Sequence, residues 1–397
     1  MVEKVPGTPD SGKNQIARTM VFTVGHVVND TYPNLYPVLL PALMAQLSFN
    51  TAAAGLISTV SALSAQLLQP LMGYWADLSG GKKFVVGGLA VGSVFSILAF
   101  AWSPSYFLLL VLLFVGGLGN AAFHPHAASL VSEITGRRKG LGMSLFMIGG
   151  NLGRALAPII AGAAFLWWGR AGLSWLVLPG LVMSFVLFWA MSPAPAPRPR
   201  SGKVLSPEFL RGLRASTVLL VVVALRNMAS LTVMTLVPIL WHALGYPLTA
   251  TATLLSLLFI AGSLGNLAGG ALSDIVGPKP VLIASALLST LWLLVFLQKH
   301  SLPVSLLLIA LLGASLYASS SVVMVFGQSL FAINKGMASG LTLGIGNTLG
   351  SIAVAVMGLI ADRYSATAAL HVTAWAVLLS IPFVLLLKSS AAGPAGE

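Results

Sequence analysis

The chain has no cysteine, which excludes a disulfide framework and any thiolate metal site. Charge is nearly as scarce: 8% of the residues are Asp, Glu, Lys or Arg, where soluble domains carry about 25%. Acids are rarest, nine in 397 residues. No Gly-x-x-x-x-Gly-Lys-[Ser/Thr] loop occurs, so ATP is not the expected energy source. No two acids fall close together inside an apolar run, which removes paired-carboxylate hydrolysis. Alternating strands of about ten residues are absent, and with them a β-barrel. Metal binding finds little support either, because no His-x-x-x-His has an acidic partner. His124 and His126 lie two residues apart and would leave one helix on different faces. The chain is therefore expected to be no enzyme, with no cofactor and no metal.

What the sequence does have is apolar length, at 57% hydrophobic residues. Twelve charge-poor runs follow one another, at about 20–46, 52–76, 84–102, 105–128, 140–166, 172–192, 216–244, 250–273, 280–298, 303–331, 337–361 and 366–387. Each is long enough to cross a hydrocarbon core of roughly 30 Å. A chain in lipid must satisfy its backbone internally, so these runs read as helices. The expected fold is an all-α membrane protein of twelve transmembrane helices in two pseudo-symmetric six-helix bundles.

The net charge of +12 is distributed by topology. With the spans as drawn, sixteen of the 21 Lys and Arg share one side with both termini, and only Arg170, Lys299 and Arg363 fall on the other. The positive-inside rule then places both termini in the cytoplasm, and nucleic acid is not an expected partner. The first nineteen residues are polar and the first span lacks a small-residue cleavage site, so no removable signal is expected. Residues 193–215 begin Pro193-Ala-Pro195-Ala-Pro197-Arg198-Pro199-Arg200. Proline at alternate positions favours an extended spacer, and the basic residues suit an anionic leaflet. The spacer divides the chain into an N-terminal bundle, 1–192, and a C-terminal bundle, 216–397.

A repeat joins the two halves. Gly73-x-x-x-Asp77-x-x-Gly80-x-Lys82 returns as Gly270-x-x-x-Asp274-x-x-Gly277-x-Lys279, each element displaced by 197 residues. At the same offset Pro41 matches Pro238, and Gly149-x-x-x-Gly153 matches Gly346-x-x-x-Gly350. Three coincidences at one long period in an apolar chain indicate a duplicated bundle. Both copies of the loop fall on the basic side, where they read as gating elements. The pattern resembles the loop signature of the major facilitator superfamily, and the likeness covers essentially the whole chain. A narrower resemblance rests on Gly25-His26-Val-Val-Asn29-Asp30, Phe123-His124-Pro125-His126 and Gly149-Gly150-Asn151-Leu152-Gly153. These strings are similar to the fosmidomycin-resistance branch of drug:proton antiporters. That resemblance implies proton-driven export, with a phosphonate antibiotic as one cargo. The chain departs from the branch pattern where His126 and Ser329 replace common acids, so coupling is not carried over to those positions.

Asp30 is the one acid well inside a span. Inserting an Asp at the bilayer centre costs roughly 2.5–3.5 kcal/mol, and a carboxyl kept there can load and release protons. His26, four residues earlier, shares its helical face and joins Asp30 as a proton-coupling candidate. Counted from the basic ends of their spans at about 1.5 Å per residue, Asp30, His124, Arg154 and Arg226 all lie roughly 18–23 Å deep, near the midplane. By the superfamily's arrangement, spans one, four and seven line a central cavity. Asp30, His124 and Arg226 are then expected around one space, with Arg154 close by. Two buried guanidinium groups suit a carboxylate, phosphate or phosphonate. Tyr32 and Tyr36, four apart, are cavity candidates. Asn29 and Asn227 join the substrate-site candidates where the repeat breaks, because Asp30 aligns with Asn227 and Asn29 with Arg226. Pro33, Pro37 and Pro41 should bend the first span. The glycine pairs at 149/153 and 346/350 are expected where the two halves meet.

The favoured function is a secondary active exporter of small anionic or amphipathic compounds, driven by proton antiport and working by alternating access. Its partners are a small molecule, protons and the lipid bilayer, its place the cell (inner) membrane, its expected state a monomer. The alternatives are an organic-anion uptake symporter or exchanger, and a non-transporting membrane receptor or assembly factor.

Overall fold

The protein is described by a computed structural model over residues 12–79, 81–135, 139–191, 216–329 and 335–387. The linker 193–215, Gly80 and the Asp77 side chain lie outside the described residues. All regular structure within them is helical.

Twelve crossings are present among the described residues. The first, α1, runs as Gly12–Thr31 and Tyr36–Leu47 across a 3-10 turn at Tyr32–Asn34. Pro33 and Pro37 remove backbone donors at that turn, so the expected bend falls there. α2 runs as Thr51–Ala62 and Gln69–Ser79, separated by a wide π turn at Leu63–Leu67. α3 is Lys82–Trp102 and α4 is Tyr106–Thr135. α5 begins at Lys139 and is divided from α6, which ends at Ala190, by Gly169, whose φ of 67° interrupts the helix. The second set is α7 (Thr217–Ala243), α8 (Leu248–Val276), α9 (Pro278–Phe296), α10 (Leu302–Tyr317 and Ser320–Ser329), α11 (Lys335–Arg363) and α12 (Ala366–Leu378 and Ser380–Leu386). Ten stretches meet a length-and-hydropathy test for crossing a bilayer. Dividing the 49-residue stretch Gly142–Ala190 at Gly169 and adding the broken α1 gives the twelve.

The packing repeats with the sequence. α1 lies on α5 as α7 lies on α11. A Cβ on Gly153 would stand 2.3 Å from the Val27 carbonyl, and one on Gly350 2.5 Å from the Ala224 carbonyl. Val27 and Ala224 are themselves 197 residues apart. The expectation for these glycine pairs therefore needs correction: they close helices within each set of six rather than between the sets. A helix pair meeting this closely has room only for hydrogen at the crossing, so the positions cannot also form an opening seam.

The contacts between the two sets run elsewhere, through α2 on α11 and α5 on α8. Along the first seam Gly55 meets the Val354 carbonyl and Gly358 meets that of Thr51, each too close for a Cβ. Thr59 donates to the Ser351 carbonyl at 2.7 Å, and Asn347 Nδ2 donates to Gln66 Oε1 at 2.6 Å. At the end remote from the signature loops, the Asp362 carboxylate accepts from the backbone N–H groups of Thr51 and Ala52, both at 2.9 Å. The end of α11 thus caps the start of α2.

Candidate functional site

The centre of the site is Asp30, 5% exposed in the bilayer-depth part of α1. Its two carboxylate oxygens face different helices. His124 of α4 brings Nε2 to 3.2 Å from Oδ1, and Asn29 donates to the same oxygen at 3.1 Å. Oδ2 faces His26 Nε2 at 3.4 Å and Arg154 Nε of α5 at 3.6 Å. The Asp30 side chain is 8% exposed, whereas that of Arg154 is 35% exposed. The carboxylate is enclosed; its cation is not.

α5 builds one wall from a single stripe. Phe146, Gly150 and Arg154 are spaced by four, so they share a face of α5 against His26 and Asp30 on α1. The Phe146 carbonyl lies 2.7 Å from His26 Nδ1, and the Phe146 ring stacks on the imidazole at 4.0 Å. A Cβ on Gly150 would stand 2.5 Å from His26 Nε2 and 2.9 Å from Asp30 Oδ2. Glycine at 150 is what lets the histidine and the acid face each other.

His26, Asp30 and His124 also make a ligand set of metal-binding type, with one ligand atom from each all within 4.8 Å of one another. Spacing along the chain could not reveal it, since His124 comes from another helix. Arg154 already sets a positive charge against the same carboxylate.

The other candidates divide. Asn29 belongs to the cluster, touching Asp30 and standing 3.4 Å from His124 Nε2. Tyr32 and Tyr36 line a narrow cleft with Asn29, Ser61, Ser96 and Asn120. The cleft has room for about one water. Tyr32 donates to the Leu176 carbonyl at 2.8 Å, and the Tyr36 hydroxyl is joined through Ser58 to Thr235 of α7. Asn120 and Ser96 carried no signal in the sequence beyond being polar in an apolar run.

Arg226 does not join the cluster, contrary to the expectation of one shared space. It turns into the packing of α7 against α9, donating from Nη1 to Ser285 Oγ at 2.8 Å and from Nη2 to the Leu282 carbonyl. Arg226 is 5% exposed and forms no ion pair among the described residues. Counting residues along a helix gives a depth but not the direction a side chain takes around the axis. Asn227, the counterpart of Asp30, donates to the Asn347 carbonyl at 2.7 Å.

Of the signature residues, the two lysines have matching contacts. Lys82 Nζ donates to the Met191 carbonyl at 2.9 Å and lies 4.1 Å from the Phe188 ring centroid; Lys279 Nζ donates to the Leu385 carbonyl at 3.1 Å. Each caps the C-terminal end of the last helix in its own set of six, where a cation meets unpaired carbonyls. Gly73 packs on Pro125, Gly270 on Ser321, and Gly277 holds φ at 85°, a turn that favours glycine. Asp274 is exposed and makes no ion pair among the described residues.

The chain resembles known proteins along most of its length. A family model described as Major Facilitator Superfamily matches residues 22–297. The chain is 26% identical over 374 residues to the fosmidomycin resistance protein of Escherichia coli (strain K12), covering 92% of this chain and 91% of that protein. It is 27% identical over 384 residues to YfnC of Bacillus subtilis (strain 168), described as an MFS-type transporter, with 92% of both chains covered. Among solved structures, the nucleoside transporter NupG superposes with a TM-score of 0.77 at 12% identity, covering 94% of this chain and 99% of that one. An inward-facing bacterial homologue of the human lysosomal transporter Spinster does so at 0.75 and 15%, covering 95% and 96%. With twelve crossings, a packing repeat and a signature loop after α2 and α8, the chain belongs to the Major Facilitator Superfamily and is a multi-pass membrane transporter rather than an enzyme.

Proposed function

We propose that the protein is a proton-coupled transporter of small anionic compounds, in which Arg154 is exchanged between Asp30 and the cargo. The observation that carries this is the pairing of an enclosed carboxylate with a partly open guanidinium at 3.6 Å. With Asp30 ionised, Arg154 is held by it. A proton on the Asp30 cluster removes the negative charge, and the planar guanidinium is free to bind a carboxylate, phosphate or phosphonate through two charge-assisted bonds. Loss of the proton returns Arg154 to Asp30 and expels the anion. Proton and anion therefore bind together on one face and leave together on the other, which makes the coupling a symport rather than the antiport that the resemblance implies.

The likeness to the fosmidomycin resistance protein supports a phosphonate as one cargo. The bundles 1–192 and 216–397 rock about the α2–α11 and α5–α8 seams, joined by the linker 193–215, and the signature loops with Lys82 and Lys279 act as the gate. Both termini are assigned to the cytoplasm and the protein to the cell (inner) membrane, from the distribution of Lys and Arg. It works as a monomer.

Everted membrane vesicles carrying an acid-inside gradient test the reading. Adding a phosphonate outside should draw protons inward and deepen the gradient in vesicles with the wild-type protein, and leave it unchanged with Asp30→Asn. No proton movement with any anion in the wild type would sink it.

A further inference from the structure

We infer that His26, Asp30 and His124 form a binding site for a divalent transition-metal ion of the Zn²⁺ or Co²⁺ type, with Arg154 as its built-in competitor. The inference goes beyond the proton-coupled reading and does not depend on it.

Ligand atoms from two helices converge. His26 Nε2 stands 3.4 Å from Asp30 Oδ2, and His124 Nε2 stands 3.2 Å from Oδ1. Ligands held about 2.0–2.2 Å from a tetrahedral ion lie roughly 3.3 Å apart, so both separations already suit a bound ion. One ligand atom from each residue lies within 4.8 Å of the other two.

The second observation is the state of His26. Its Nδ1 faces the Phe146 carbonyl at 2.7 Å. A carbonyl accepts and cannot donate, so Nδ1 carries the hydrogen and Nε2 keeps its lone pair. That Nε2 is buried and without a hydrogen-bond partner. It is aimed at a carboxylate oxygen, itself an acceptor, and two unpaired acceptors in a dry site are costly. A metal ion between them satisfies both. One ring N–H tied to a backbone carbonyl with the other nitrogen bare is how metal-ligating histidines are oriented. Gly150 keeps the approach clear, since a Cβ there would stand 2.5 Å from Nε2 and 2.9 Å from Oδ2. Asn29 steadies the other oxygen, donating to Oδ1 at 3.1 Å.

The donor set selects the metal. Imidazole suits Zn²⁺, Co²⁺ and Ni²⁺, whereas Mg²⁺ and Ca²⁺ take oxygen ligands in greater number than one carboxylate supplies. Arg154 Nε stands 3.6 Å from Oδ2. A guanidinium and a dication repel at this range, so Arg154 must turn outward for the ion to enter. The second half lacks the set, since Val223, Asn227 and Ser321 stand where His26, Asp30 and His124 do.

The test is Co²⁺ binding to tag-free protein in nanodiscs at fixed pH, with neither cargo nor gradient, read by visible absorption and by X-ray absorption at the cobalt edge. One ion per chain should bind with two imidazoles and a carboxylate in its shell. Zn²⁺ should displace it and Mg²⁺ should not. His26→Ala and His124→Ala should each weaken binding at least about tenfold, the least that losing a partner of a metal ligand costs. Arg154→Gln should strengthen it several-fold. No binding, a shell with fewer than two imidazoles, or unchanged affinity in folded His26→Ala and His124→Ala would overturn the inference. The wild-type spectrum decides the matter even where a variant fails to fold. Proton movement in the vesicles is a separate readout, whose absence would remove the proton-coupled reading and leave the metal site standing.

Discussion

At the scale of single residues, the decisive contrast is between the two intramembrane arginines. Arg154 is partly open beside an acid, and Arg226 is enclosed among a serine and a carbonyl. Replacing Arg154 by Gln should abolish anion-dependent proton movement while leaving thermal unfolding close to wild type. Replacing Arg226 by Ala should do the reverse. Losing hydrogen bonds from a buried charged group costs about 1.5–3 kcal/mol, read as a lower unfolding temperature, while exchange per folded molecule is retained. Gly150→Ala should be costly as well, by about 1–3 kcal/mol from overpacking, and should disturb His26 before it disturbs anything else. Asp30 was legible in the sequence because a lone acid in an apolar run needs no partner to be noticed. The choice between Arg154 and Arg226 was not. Residue counting measures depth along a helix, and both arginines satisfy it; which way each points depends on the packing of neighbouring helices. The Phe146 carbonyl was beyond any sequence reading, since every residue has one.

Among elements, the seam between α2 and α11 separates what is legible from what is not. The glycine pairs at 149/153 and 346/350 announced close crossings, but their partners turned out to be α1 and α7. Small residues mark where helices approach without saying which helices do. The seam itself relies on Gly55, Gly358 and the Asp362 carboxylate at the start of α2. A carboxylate capping a helix N-terminus contributes about 0.5–1 kcal/mol at an exposed site. Asp362→Ala should therefore loosen the end remote from the signature loops by a few-fold in population, without unfolding the protein. Spin labels on cysteines introduced at the outer ends of α2 and α11 would report it as a second, longer distance. An unchanged distance distribution would mean that the apolar seam alone keeps this end closed. The chain's lack of native cysteine makes the labelling free of background.

For the whole molecule, twelve crossings and a duplicated bundle could be read from composition and a 197-residue period, because lipid leaves the backbone few choices. The same scale holds the topology assignment. A cysteine placed in the linker 193–215 should react with a membrane-impermeant maleimide only from the cytoplasmic face, and one beside Lys299 only from the opposite face. The chemistry we propose sits where the halves differ: Asp30, His26 and Arg154 in the first, with Asn227, Val223 and Ser351 at the matching positions of the second. The central claim is that an anion and Asp30 compete for Arg154, with a proton taking the arginine's place. Calorimetry of methylphosphonate binding in buffers of different ionisation enthalpy measures that exchange directly. Wild-type protein should take up about one proton per anion bound, and Asp30→Asn should bind the anion with no uptake; wild-type binding that leaves the proton count unchanged would contradict the claim.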